Sequence, residues 1–185
     1  MITPNHLGGH LNITHVDAGV LNFLTKTFSI KSMVDIGCGP GGMEKLALAR
    51  NISWQGIDGD PQMARSSVLT HDFSLGPFKI EAFDLGWSVE FLEHVEEQYL
   101  PNFMAAFQSC DSVFITHAPP KKAGHHHVNC QPSSYWIEVF EDWGFIFMED
   151  LTAEVRLASS MTRNFARENG LVFKKPATLL LGKEH

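Results

Sequence analysis

Long apolar runs are missing from this 185-residue chain. No stretch reaches the roughly 20 apolar residues of a bilayer-spanning helix, so no membrane segment is expected. The opening residues, MITPNHLGGH, have neither the basic start nor the apolar centre of a secretory leader. Cysteine is scarce: Cys38, Cys110 and Cys130 are the only three. An odd, scattered set is no disulfide framework and points to a reducing cytoplasm. Basic charge is also short, with 14 Lys and Arg against 21 Asp and Glu and a formal net charge of −7. The broad basic footprint that grips nucleic-acid backbones is therefore not expected. A large nucleic acid is not the expected partner, although a nucleotide or an RNA terminus stays open, and local basic pairs occur at Lys121-Lys122 and Lys174-Lys175. Repeats, low-complexity tracts and linkers are lacking too. The reading is one domain over residues 1–185, with residues 1–30 as an N-terminal helix and lid.

What is present suits a soluble globular protein, 44% hydrophobic and 19% charged. Thr14-His15-Val16-Asp17 reads as a capping box ahead of a helix whose apolar stripe is Val16, Val20, Leu21, Phe23 and Leu24. Short apolar runs then alternate with helical patterns. Strands are expected at Met33 to Ile36, Trp54 to Ile57, Val68 to Phe73, Phe83 to Trp87, Val113 to Thr116, Phe145 to Met148 and Leu171 to Lys174. Helices are expected from Gly42 to Arg50, through Phe91, Leu92 and Val95, from Ser134 to Trp143, and from Thr152 to Asn169. Such alternation builds a doubly wound α/β sheet that binds ligands at the carboxyl ends of its strands.

The first strand runs into Gly37-Cys38-Gly39-Pro40-Gly41-Gly42, where missing side chains let the backbone approach a ligand. Glycines alone leave two cofactor classes open, dinucleotides and S-adenosylmethionine. Asp35, just before them, suits the ammonium end of S-adenosylmethionine and would repel a pyrophosphate. Asp58, 21 residues beyond Gly37, suits ribose hydroxyls in either class. Asp72 can accept from an adenine amino group, with Phe73 lining the ring. Both aspartates also read as ordinary turn residues.

Val34–Gly42, the Gly56-Ile57-Asp58-Gly59-Asp60 turn and the segment from Phe83 to Val95 together resemble the class I S-adenosylmethionine-dependent methyltransferases, from about residue 30 to residue 175. Several segments are similar to compact phage- and virus-encoded members. The resemblance implies a Rossmann-like, seven-stranded α/β sheet with its last strand antiparallel and the methyl donor across the first two strand ends. It implies cofactor contacts from Asp35, Gly37, Gly39, Asp58, Asp72, Ser88 and Val89, with Cys38, Gly59 and Phe73 beside them.

On the catalytic side, Glu90-Phe91-Leu92-Glu93-His94 places two carboxylates and an imidazole at i, i+3 and i+4, one face of a helix. Such a face can hold magnesium or another divalent cation and acidify a bound hydroxyl. It reads equally as a helix start followed by a solvated acidic face with Glu96 and Glu97. His125-His126-His127 can complete the site or serve as base, or simply lie on the surface. This pattern is similar to two metal-using O-methyltransferase groups, one acting on 3′-terminal ribose 2′-hydroxyls of small RNAs and one on phenols in ubiquinone synthesis. The similarity implies Glu90, Glu93, His94 and one downstream histidine, taken as His126, as metal ligands. His94, His117 and His127 are the candidate bases. Trp87, Tyr135, Trp136 and Trp143 are candidate acceptor-pocket aromatics, and His10, Asn12 and His15 candidate lid residues hinged at Gly8-Gly9.

The expected activity is S-adenosylmethionine-dependent O-methylation of a small molecule or a glycan. A nicotinamide-dependent oxidoreductase and a non-catalytic, methyltransferase-like binding module are the alternatives.

Overall fold

A computed structural model describes residues 6–7, 9–10 and 12–176. Seven strands form one sheet in the order β3-β2-β1-β4-β5-β7-β6. They are β1 (Ser32–Ile36), β2 (Ser53–Asp58), β3 (Val68–Thr70), β4 (Phe83–Ser88), β5 (Cys110–Ile115), β6 (Ile146–Phe147) and β7 (Leu171–Lys174). The first five pair in parallel. β7 runs antiparallel to both β5 and β6, as expected of a last strand. Six helices pack around the sheet: α1 (Ala18–Phe28), α2 (Met43–Leu48), α3 (Leu100–Phe107), α4 (Ser133–Asp142), α5 (Glu149–Ala158) and α6 (Phe165–Asn169).

The period of two along β1 separates two buried clusters. Met33 packs with Val20, Leu21 and Leu24 of α1, whereas Val34 and Ile36 pack with Phe103, Met104 and Phe107 of α3. A sheet covered on both faces leaves its strand ends as the place for a ligand. The strand order reverses beside β1, where β2 lies on one side and β4 on the other, so the crevice opens above the β1 carboxyl end. Among the described residues, no helix is long and apolar enough to cross a membrane.

Four elements differ from the sequence pattern. The α1 cap is Asp17, not Thr14: Asp17 Oδ1 accepts from Val20 N at 3.0 Å, while Thr14 Oγ1 accepts from Gly42 N at 3.2 Å and ties the N-terminal segment to the glycine loop. β3 stops at Thr70 because Asp72 caps a 3₁₀ turn over Phe73–Leu75. The expected helix through Phe91, Leu92 and Val95 is two 3₁₀ turns, Leu92–His94 and Glu97–Tyr99. Glu90 at φ 54° keeps a continuous helix from starting there, and Pro101 opens α3 instead. The expected long helix to Asn169 is broken into α5 and α6, because Ser159 and Ser160 between them turn to hydrogen-bond Asp17.

Candidate active site

A cavity of about 600 Å³ lies over the strand ends. Its floor is the glycine loop. Gly37 and Gly39 adopt φ values of +74° and +49°, in the left-handed region where a side chain is strained. A Cβ on Gly37 would also stand 2.4 Å from the Phe91 ring. The loop is held by Asp58, whose Oδ2 accepts from Gly39 N at 2.7 Å and whose Oδ1 accepts from Asp60 N at 2.9 Å. Each oxygen retains a lone pair for a ribose hydroxyl.

Asp35 lies beside Asp58, buried at the end of β1. Burial first, and then the Asp58 charge, push its pKa from 3.8 up to about 8. Burial also raises Asp58, partly offset by its two backbone hydrogen bonds. A cation entering here would relieve both carboxylates. Asp72 is the opposite case: burial pushes its pKa up, but hydrogen bonds from His6 and Ser74 outweigh this and hold it below the usual value. His6 Nε2 lies 2.8 Å from Asp72 Oδ2, and His10 Nε2 lies 3.3 Å from Asp60 Oδ2. His6, Leu7, Gly9 and His10 thus line the cavity over the glycine loop, with His10 against Gly39 and Leu7 against Gly59. Gly8, half of the expected hinge, lies outside the described residues.

At the other end stand the acidic and imidazole groups. Glu93 is wholly buried, and the only polar side chain against its carboxyl is that of the neighbouring acid Glu90. Burial and the adjacent Glu90 push its pKa well above the carboxylate range. Ligand atoms of Glu93, His94 and His127 all lie within 4.8 Å of one another. The 3₁₀ turn presents Glu93 and His94, while the amides of Val128 and Asn129 donate to the Glu93 carbonyl and bring the histidine loop against it. His127 Nδ1 is 3.0 Å from the Lys122 carbonyl, which makes Nδ1 the donor and leaves Nε2 as a lone-pair ligand. Burial first, then His127, lower the His94 pKa to about 4, so this ring is neutral and ligand-competent near pH 7.

These three groups suit a divalent cation. A carboxyl buried against another acid is costly, and the His94 and His127 imidazoles beside it complete a nitrogen–oxygen donor set. His126, the expected downstream ligand, is not among them: at φ 46° it turns aside toward His6, with ring centroids 6.1 Å apart. Glu90 also stands outside the group, accepting from the Thr116 hydroxyl at 3.1 Å.

Of the expected cofactor residues, Asp35, Gly37, Cys38, Gly39, Asp58, Gly59, Asp72, Phe73 and Val89 line the cavity. Ser88 does not; its hydroxyl is buried and donates to Ile36 O at 2.8 Å, a strand-to-strand tie. His117, a candidate base, faces a different cavity and sits 3.0 Å from Ser133 Oγ, its pKa lowered to about 4 by burial. Trp87, His10 and His15 line the main cavity, whereas Asn12, Tyr135, Trp136 and Trp143 do not. Phe91, Tyr99 and His71 line it without having been singled out in the sequence, because nothing in their spacing distinguishes cavity walls from core.

Residues 34–118 match the family model of a methyltransferase domain. The fold is the Rossmann-like one of solved methyltransferase structures. Similar solved structures include the Haemonchus contortus phosphoethanolamine N-methyltransferase 2 with phosphomonomethylethanolamine and S-adenosylhomocysteine, 17% identical at a TM-score of 0.57 over 85% of this chain. The chain spans about half of that enzyme, 52% of its length. The Synechocystis magnesium protoporphyrin IX methyltransferase with bound S-adenosylmethionine is 15% identical, at a TM-score of 0.59 over 85% of this chain and 76% of that one. The methyltransferase domain of a bacterial Hen1 is 16% identical, at 0.56 over 85% and 96%. No curated protein sequence matches the chain. The methyltransferase-domain match runs from Val34, within β1, through β5 and the loop to Ala118, the part that carries every expected cofactor residue. The expected similarity to phage- and virus-encoded members finds no support among these structures.

Proposed function

We propose that this protein transfers the methyl group of S-adenosylmethionine to a hydroxyl of a small molecule or glycan, assisted by a divalent cation. The observation that carries the reading is Glu93, buried with only another acid, Glu90, against its carboxyl and with ligand atoms within 4.8 Å of those of His94 and His127 at one end of the cavity. Asp35 takes the ammonium of the donor, Asp58 its ribose hydroxyls, and the glycine loop leaves room for its backbone. Small acceptors named with similar structures, phosphomonomethylethanolamine and magnesium protoporphyrin IX, support a small-molecule substrate.

Methyl transfer breaks a carbon–sulfur bond whose electron pair stays on sulfur, and the acceptor oxygen supplies the pair of the new bond. The donor is already activated, so the protein must align the two partners and receive the hydroxyl proton. Glu90 lines the cavity, and burial raises its pKa, which makes its carboxylate a stronger proton acceptor. Glu93, His94 and His127 would hold the cation, which when bound lowers the pKa of a ligated hydroxyl.

The test combines S-adenosylhomocysteine binding with methyl transfer to a panel of sugars and phenols. Chelation is expected to lower turnover at least about tenfold, reversibly on adding magnesium or manganese, and Glu93→Ala to do the same irreversibly. Full turnover after both treatments would remove the metal from the mechanism. Thermal stabilisation by reduced nicotinamide cofactor and not by S-adenosylhomocysteine would restore the oxidoreductase reading. Tight cofactor binding with no transfer across the panel would favour the binding module.

A further inference from the structure

A second cavity, of about 330 Å³, adjoins the first, and Glu90 lines both. Its remaining walls come from the loop after β5, with His117 and Lys122, and from the segment entering α6, with Arg163, Asn164 and Glu168. Two cations and two acids therefore face it, but they are not equally engaged. Glu168 Oε1 accepts from Asn164 Nδ2 at 3.1 Å, and Glu90 Oε1 accepts from the Thr116 hydroxyl at 3.1 Å. Among the described residues neither Lys122 nor Arg163 forms an ion pair. Both charges are felt at Glu90, and the Arg163 guanidinium lies 5.5 Å over the Phe165 ring, which holds it at the cavity wall.

Lys122 has a second connection. Its carbonyl accepts from His127 Nδ1, so the residue that sets one imidazole also carries a cation beside the second cavity. A ligand seated there would be continuous with the hydroxyl-activating end of the main cavity.

We propose that the second cavity holds the phosphate group of a phosphorylated hydroxyl acceptor, with Lys122 and Arg163 as its cations. The proposal rests on the methyl-transfer reading and narrows its acceptor class. Two unpaired cations match a phosphate monoester, which carries about −1.5 to −2 charge near neutral pH, better than a carboxylate with one. The planar guanidinium adds bidentate geometry suited to phosphate oxygens. No bond is made or broken at this subsite; it positions the acceptor.

The experiment titrates inorganic phosphate, and separately acetate, into the full chain loaded with S-adenosylhomocysteine, reading the amide resonances of Ala118 and Lys122. Saturable shifts with phosphate, weakened at least tenfold in a Lys122→Met/Arg163→Met double variant and partly restored by Arg163→Lys, are expected. S-adenosylhomocysteine affinity should change less than twofold in these variants, which also shows that they fold. In turnover, ribose 5-phosphate should have a KM at least tenfold below that of ribose, and the double variant should erase that difference in KM. Absence of phosphate shifts in the unsubstituted, cofactor-loaded protein would overturn the proposal, as would acetate binding as tightly as phosphate. Failure of S-adenosylhomocysteine itself to bind would overturn the methyl-transfer reading instead, so the two failures are distinguishable.

Discussion

Asp35 sits buried against Asp58, and its pKa of about 8 makes it a proton store at neutral pH. The folded chain keeps a proton that the unfolded chain gives up above about 3.8, so unfolding releases that proton between those two values. Stability contributed by this group is complete below 3.8 and is lost as pH rises toward 8. Urea unfolding of the cofactor-free protein between pH 5 and pH 8 should therefore show a downward slope that Asp35→Asn reduces, by up to about 1.4 kcal/mol per pH unit for one proton. Equal slopes in both proteins would mean that Asp35 is ionised throughout. The same store links pH to binding. An ammonium beside Asp35 favours its charged form, so donor binding should release protons at pH 7 and tighten as pH rises to about 8. The sequence places an acid before the glycines, but its protonation depends on Asp58, which approaches only because β1 and β2 pair with Ile36 beside Ile57.

At the scale of elements, local signals were legible where chain neighbours decide the outcome. Glycines at positive φ, an acid ending β2 and alternating apolar residues in β1 are all local, and the glycine turn at the end of β1 was read from them. Segments governed by distant partners were not. The run from Glu90 to His94 has helical spacing, yet Glu90 takes φ 54° and donates its amide to the Thr116 hydroxyl at 2.9 Å, 26 residues away. Likewise His127 and not His126 meets His94, because the loop's backbone turns at His126 and its register is set by the Glu93 carbonyl. Asp17 is the clearest long-range tie. It caps α1 and also accepts from the Ser159 hydroxyl at 2.5 Å and from Ser160 N at 2.9 Å, joining α1 to the end of α5. Asp17→Ala removes a buried carboxylate and strands several donors, so it should cost about 3 kcal/mol in chemical denaturation, more than the roughly 1 kcal/mol of a lost cap alone. Asp17→Asn, which keeps part of the bonding, should cost less. A loss near 1 kcal/mol for Asp17→Ala would show that the Ser159–Ser160 connection contributes little.

For the molecule as a whole, the strand ends supply the floor of the cavity, and His6, Leu7, Gly9 and His10 line it from the N-terminal side. His6 Nε2 lies 2.8 Å from Asp72 Oδ2, and Asp72 Oδ1 accepts from Ser74 N at 2.9 Å, so both oxygens of the proposed adenine acceptor are engaged. For the proposed adenine contact at Asp72, His6 must move, and one hydrogen bond of net worth about 1 kcal/mol is exchanged rather than gained. His6→Ala should then tighten S-adenosylhomocysteine binding roughly fivefold by calorimetry, since about 1 kcal/mol of competition is removed. His10 differs, because it contacts Asp60 at 3.3 Å and the edge of Gly39 without occupying Asp58, so His10→Ala should leave the cavity uncovered and bind no more tightly. Opposite behaviour, with His6→Ala binding more weakly, would make residues 6–10 part of the donor site itself and move the adenine contact away from Asp72.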